Sequence, residues 1–415
     1  MYYALRTTHY KGSPHAHYLR HHRDRRRWRR RCHGVSPGQR RAARAAAGTV
    51  PRGAQAREQP RGQPHHPLQP CRARVPSLAP DAFALWRTLE AESGADLVLE
   101  TGSLDFGPAD LPALQGRIDT MAELGYAAEV LDQTAMARRF PQFRFPADWL
   151  GFYQPNAGIV NADLAVATMA AQAVRHGAVL QEESHVRRVA PDGDGVVVDV
   201  DGPHGAQTFH AAQAVITAGP WAGRFFEQLG LTPRLSHPLK VTHQQVIFFD
   251  VAAHAQEMWL PDRCPVYICL PTPHFYGFPT FEAPGRIKIG LELDDDGVDP
   301  DTHPRELLQS AVDELCGLVE AHLVGIIPKA VDGVACLYTQ SPDAEFIIDH
   351  HPEHPQIVFG AGFSGRGFKF TVLSGRLLAD LSAAPGAYAS PLWRDLFALR
   401  RFDSATPGHI AGLKM

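Results

Sequence analysis

A mixed α/β fold of two interleaved domains is what this sequence predicts, on three observations. From about residue 81 onward, helix-period and strand-period patterns alternate. The strand-like runs are short and bounded by Gly, Pro or Asp. The two element types do not segregate into halves, as they would in a chain of separate all-helical and all-strand units. At 415 residues, with 44% hydrophobic and 20% charged residues, the chain has globular composition and enough length for two domains.

The elements follow in order. In "PDAFALWRTLEAESG", Phe83, Trp86 and Leu89 recur at helical spacing and Gly94 offers a C-cap. "LVLETGSLDFG" reads as strand, turn, strand, and a helix near Leu111 to Leu124 ends at Gly125. After "YQPNAGIV", Asn161 or Asp163 caps a helix that runs to His176 and closes at Gly177, with "AVLQEE" as the next strand. "HVRRVAPDGDGVVVDVDG" and "QTFHAAQAVITAG" give antiparallel strands around a Gly-Asp turn and one apolar strand ending at Gly219. "HFYGFPTF", "RIKIGLEL" and "KAVDGVACLYTQ" add strands. The last stretch, "EFIIDHHPEHPQIVFGAGFSGRGFKFTVLSGRLLADL", reads as strand, loop, strand, glycine-rich turn and a helix striped by Leu373, Leu377 and Leu381.

Charge is unevenly placed. Residues 1–80 carry 18 Lys+Arg against 2 acids, while the rest carries 23 against 42. That first segment has no apolar period and is expected to be disordered. No run reaches the roughly eighteen apolar residues of a membrane span. The six cysteines have no CxxC spacing, which suits free thiols in a reducing cytoplasm.

Several residues can carry chemistry. In "GAGFSGRGFKF" a strand enters a glycine-dense turn and a helix start, where backbone N–H groups favour electron-rich ligand atoms; a bland structural turn fits the same pattern. Arg366 and Lys369 in that turn make either a carboxylate clamp or two solvated cations. Strand alternation in "RIKIGLEL" puts Ile287, Ile289 and Leu291 on one side and Arg286, Lys288 and Glu292 on the other, so Lys288 is either a buried catalytic charge or part of a solvated face. Cys336 and Tyr276 read as core residues unless a site claims them. His350, His351 and His354 lie in a Pro-interrupted loop without the fixed spacing of a metal-ligand pair, and no metal is expected.

"DGVACLYTQSPDAEFIIDHHPEH" followed by "GAGFSGRGFKF" closely resembles the C-terminal third of the monomeric sarcosine oxidase and N-methyltryptophan oxidase family. "LETGSLDFGP", "YQPNAGIV", "TAGPWAG", "FYGFPTF" and "IKIGLEL" occur in the family's order from about residue 83 to 400. The resemblance implies an FAD-linked oxidoreductase fold: an incomplete Rossmann-like FAD domain (81–97, 151–237 and 336–415) interleaved with an antiparallel-sheet substrate domain (98–150 and 238–335). It implies FAD as cofactor, joined covalently through Cys336, with Lys288 near flavin N5, Tyr276 in the substrate pocket and Lys369 on the substrate carboxylate. Gly219, Trp221, Gly362, Phe363, Gly365, Gly367 and Lys369 would contact the cofactor, and Arg366 would strengthen carboxylate binding. The implied reaction is oxidation of a secondary amine such as an N-methyl amino acid by oxygen, releasing hydrogen peroxide. A cytoplasmic monomer is implied, without a nucleic-acid or membrane partner. Glu292 and Arg366 stand where the best-known members carry histidines, which leaves other amines open, a glycated amino acid or pipecolate among them.

The family's opening GxGxxG turn is missing. Where it should lie, the chain reads "HHRDRRRWRRRCHG". With CGN codons for arginine, reading one base later turns this into an allowed "IIVIGGGGVVG", with a glycine forced at Trp28–Arg29. Gly48 to Arg52 then permits Val-Leu-Phe-Leu-Glu, a strand ending in a ribose-binding acid. A frameshift is therefore expected. The alternatives are a basic arm binding nucleic acid, an Arg-rich transit peptide, or a non-catalytic product of a damaged gene.

Overall fold

The structure, a computed structural model, describes residues 76–235, 237–281, 283–293, 296–384 and 391–403. The arginine-rich stretch and its frame reading lie outside the described residues. The described structure reaches back beyond the expected residue 81. A 3₁₀ turn at Pro76–Leu78 leads into helix α1 (Ala79–Ser93), and Leu78 is buried beside Ala82. Proline at the first helical turn supplies the start, since its missing N–H would be unpaired there anyway. Gly94 closes α1 in the left-handed conformation.

The chain continues through β1 (Val98–Glu100), β2 (Ser103–Pro108), α2 (Pro112–Glu123), β3 (Glu129–Leu131), α3 (Gln133–Arg139), β4 (Trp149–Gln154) and β5 (Gly158–Val160). Helix α4 (Ala162–Arg175) is capped by the Asn161 side chain, which accepts from Leu164 N–H. Next come β6 (His185–Asp192), β7 (Gly195–Gly202), β8 (Gly205–Ala211), β9 (Ala214–Ile216), α5 (Ala222–Gln228), β10 (Lys240–Val251), β11 (Val266–Cys269), β12 (Phe275–Phe278) and β13 (Arg286–Leu291). The chain ends with α6 (Gln309–His322), β14 (Ile326–Gln340), β15 (Ile347–His350), β16 (Ile357–Ala361), α7 (Thr371–Ala383) and α8 (Pro391–Phe397).

Strand alternation organises the larger sheet, whose order is β14-β10-β13-β12-β11-β2-β4-β3. One face is apolar throughout. Ile247 and Phe249 of β10, Ile287, Ile289 and Leu291 of β13, Phe275, Tyr267, Leu104 and Phe106 form one core with Ala311, Val312, Leu315 and Val319 of α6. The opposite face therefore has to carry the chain's polar chemistry. On that face α2 covers the β11–β2–β4 side, through Leu114 packed with Phe152 and Leu270. A three-stranded sheet, β15-β16-β9, packs its strands against α7 and against α5.

Two elements were not legible as such in the sequence. Strand β10 and helix α6 carry apolar runs that periodicity alone did not resolve. One expected strand, "AVLQEE", is irregular, with Val179 almost fully exposed, because among the described residues no neighbouring strand offers it a ladder. Strands β4 and β14 each cross an expected domain boundary, so Cys336 belongs to the eight-stranded sheet.

Leu315 is fully buried at the centre of the α6 contact. Leu315→Ala is expected to cost about 2–5 kcal/mol of stability, read as a lowered urea midpoint with an unchanged slope.

Candidate functional site

Residues directly opposite one another in a ladder share a face, so the register places the site. Gln244 of β10 opposes Cys336, Val246 opposes Gly290 and Phe248 opposes Lys288, while Tyr276 and Phe278 of β12 oppose Gly290 and Lys288. All of them lie on the face turned away from α6. Cys336 and Lys288 are two strands and four residues apart, roughly 16 Å between Cα atoms. Their side chains still feel each other electrostatically.

Lys288 is not on a solvated face. It is buried, with its ammonium 4.9 Å from the Phe278 ring centre, and it lines a hollow with Ile159, Phe248 and Phe281. Cys336 is also buried. Burial pushes its thiol up to about 11, and the nearby charges of Arg305 and Lys288 oppose that rise. Tyr276 lies flat over Gly290, where a Cβ would come within 2.3 Å of its ring, and its hydroxyl stands 3.4 Å from that of Tyr338. Tyr338, two residues from Cys336, in turn meets the glycine turn. A Cβ on Gly365 would fall 2.5 Å from its ring, and the φ of +72° at Gly365 suits glycine.

The glycine turn is fastened from below. Ser364 N–H donates to Thr339 O, Trp86 Nε1–H donates to Lys369 O at 2.9 Å, and Gly362 packs on Ser341. Phe363 turns into the core beside Phe346, with Gly367 making room for its ring. Arg366 leans on the Ala344 carbonyl and the Glu345 carboxylate, so its charge is already matched. Lys369 differs. Solvent reaches it although the chain is dense around it, and no described group pairs with its ammonium. This desolvation, with the charges of Arg366 and Arg117, lowers its pKa, and Asp105 opposes.

Gly219 and Trp221 open a 3₁₀ turn that packs against β14, and the Trp221 indole N–H donates to Asp301 at 2.6 Å. That bond helps pin the 296–308 loop. His303 and His243 hydrogen-bond, Nε2 to Nδ1, at 2.8 Å, and Val298 N–H donates to Val241 O. The loop also carries Arg305, half-buried and donating to the Pro300 carbonyl at 2.8 Å, whose charge opposes the rise of the Cys336 thiol.

Sequence reasoning missed Arg305, Tyr338, His274 and the Asp105–Arg117 pair. Asp105 is buried on β2, and Arg117 reaches it from α2 at 2.5 Å. Period-two alternation from Cys336 could have flagged Tyr338. Nothing in the helical pattern around Arg117 marked it. Of the loop histidines, buried His351 bonds the Leu229 carbonyl through Nε2 and accepts from the Glu353 and His354 amides through Nδ1.

The FAD dependent oxidoreductase family matches residues 21–381. The chain belongs to that family. It is 30% identical to the peroxisomal sarcosine oxidase of Mus musculus, over 80% of this chain and 82% of the relative. It is 30% identical to the monomeric sarcosine oxidase of Streptomyces avermitilis, over 80% and 84%. Among solved structures, the open form of NikD, described as an unusual amino acid oxidase essential for nikkomycin biosynthesis, superposes with a TM-score of 0.64 at 30% identity, covering 76% of this chain and 81% of that one. FAD is the family's cofactor, and the cleft fits its ring system. A buried thiol and a buried ammonium stand on one sheet face, and glycine at position 290 leaves the Tyr276 ring room to lie against that face. Among the described residues no helix is long and apolar enough to cross a membrane.

Alkylation of Cys336 by iodoacetamide, followed by mass spectrometry on protein without a sulfur-linked flavin, should rise about tenfold per pH unit from pH 7 to 10 and level off near 11. Lys288→Met should move the curve to higher pH, since it removes a charge that favours the thiolate.

Proposed function

We propose that the chain is an FAD-dependent oxidase of secondary amines that bear a carboxylate, with N-methyl amino acids as the substrate class. The observation that carries this is the one sheet face shared by Cys336, Lys288 and Tyr276, whose hydroxyl stands 3.4 Å from Tyr338, against which packs the glycine turn bearing Lys369, a cation paired with no described group. Bound FAD would supply the two-electron acceptor and the route of those electrons to oxygen. The CH–NH group loses two electrons and two protons to become an imine, water hydrolyses the imine to aldehyde and amine, and oxygen leaves as hydrogen peroxide.

Each residue's task follows from its place. Lys369 holds the carboxylate through a charge-assisted hydrogen bond. Tyr276 and Tyr338 wall the reacting carbon, one ring flat on Gly290 and the other under Gly365. Lys288 is a fixed positive charge that stabilises negative charge developing on oxygen, and its burial makes that charge count for more than it would in water. Cys336 is the residue placed to bind the flavin covalently, and Arg305 and Lys288 are the charges that favour its thiolate. Arg366 holds the turn against Glu345 and so positions Lys369. The free thiols Cys264, Cys269, Cys316 and Cys336 suit a reducing cytoplasm. A reading-frame change upstream of residue 76 is part of the proposal, since the phosphate and ribose contacts of FAD belong to that end of the family's fold.

Peroxide release over a panel of N-methyl amino acids tests the reading, and no release from any of them sinks it. Lys369→Met should raise KM by about 10–100-fold, the worth of one hydrogen bond to a charged group, with a smaller change in kcat. Yellow colour that survives acid precipitation reports covalent flavin. Sequencing the gene should reveal a single-base change that opens a glycine fingerprint in another frame.

A further inference from the structure

Two neighbouring rows on the sheet face turned away from α6 treat their cations differently. Arg286 of β13 has Asp250 of β10 as its cross-strand partner, and its Nε–H donates to that carboxylate at 2.7 Å. Two residues on, Lys288 is flanked by phenyl rings on both neighbouring strands, Phe248 of β10 and Phe278 of β12. Direct cross-strand partners share a face, and these three side chains line one hollow together with Ile159 and Phe281. The buried ammonium lies over the Phe278 ring, 4.9 Å from its centre. The same ring meets that of Tyr276 edge to face, with centroids 6.0 Å apart and planes at 87°. Phe278 thus stands between the tyrosine and the lysine and touches both.

A carboxylate across from a cation cancels its charge, as Asp250 does for Arg286. An aromatic ring attracts a cation through its quadrupole and leaves the net charge as it was. Taking an ammonium out of water costs free energy, and a ring face against it offsets part of that cost. The ring opposite Lys288 therefore holds the ammonium without subtracting from the charge that would stabilise an anion beside it. An aliphatic side chain of similar size would fill the space and offer no such face.

We propose that Phe278 is a positioning residue that holds the Lys288 ammonium in place without cancelling its charge, and that it acts on the oxygen step through Lys288. This role rests on the amine-oxidase reading of the same site. Its first test is the NMR spectrum of protein carrying 13C at the ε-carbons of its six lysines, in which Lys288→Met identifies the Lys288 signal. The ring current of Phe278 should hold the Lys288 ε-protons upfield. They should move downfield in Phe278→Leu and stay in Phe278→Tyr, which keeps the ring face; an unmoved signal in Phe278→Leu overturns the assignment. The second test is kinetic. Phe278→Leu should lower kcat/KM for oxygen about 2–30-fold, the worth of a cation–π contact, with Phe278→Tyr close to the parent. In a Lys288→Met background the same change should leave that constant where it is, because the ring acts only through the ammonium. An equal loss in that background, equal losses in Phe278→Leu and Phe278→Tyr, or a parental constant in Phe278→Leu or Lys288→Met each overturn the role and leave the oxidase reading standing. A parent chain that consumes no oxygen with any N-methyl amino acid sinks both.

Discussion

The period-two alternation of one eight-stranded sheet is the constraint on which the rest depends. Every second side chain from β10, β13, β12, β11 and β2 enters a core sealed by α6, and those residues are almost uniformly apolar. The remaining side chains have only the other face. A one-residue slip would exchange Lys288 for Ile289 and Cys336 for Leu337, so the energy that buries Ile287, Ile289 and Leu291 also fixes where the thiol and the ammonium stand. Hydrophobic burial thus aims the polar groups without contacting them.

Charge in the cleft follows a second rule, that a charge removed from water needs a partner. Asp105 takes Arg117 and Glu345 takes Arg366. Those pairs are structural, and they hold α2 and the glycine turn to their neighbours. Against that background Lys369 stands out because its ammonium pairs with no carboxylate among the described residues. A cation left in such a position is held there by the fold around it, by Trp86 at its own carbonyl and by the turn at Ser364. The fastening of the 296–308 loop through Trp221, Asp301 and the His243–His303 pair does the same for Arg305.

Some of this could be read along the chain, and some could not. The helices at Trp86 and Asn161, the strand-turn-helix around Gly365 and the alternation in "RIKIGLEL" were legible because each depends on contacts within a few residues. The strand expected at "AVLQEE" failed because a strand exists only with a neighbour, and neighbours are not local. Lys288 was ambiguous for the same reason. Alternation gives it a side but cannot say whether that side meets water, and Phe278 and Ile159, which cover it, come from elsewhere in the chain.

By itself the sequence determined most of the element types, the side of each recognised strand on which its residues lie, and the motifs that tie the chain to the family of FAD dependent oxidoreductases, since these rest on local geometry and residue identity. Only the tertiary structure decided that Arg366 is spoken for by Glu345 while no described group pairs with Lys369, that Asp105 and Arg117 pair, and that His274 orients Glu292. Pairing of charges is a matter of distances across β2, α2, β13 and the glycine turn. Those distances exist only once the sheet has closed on its core.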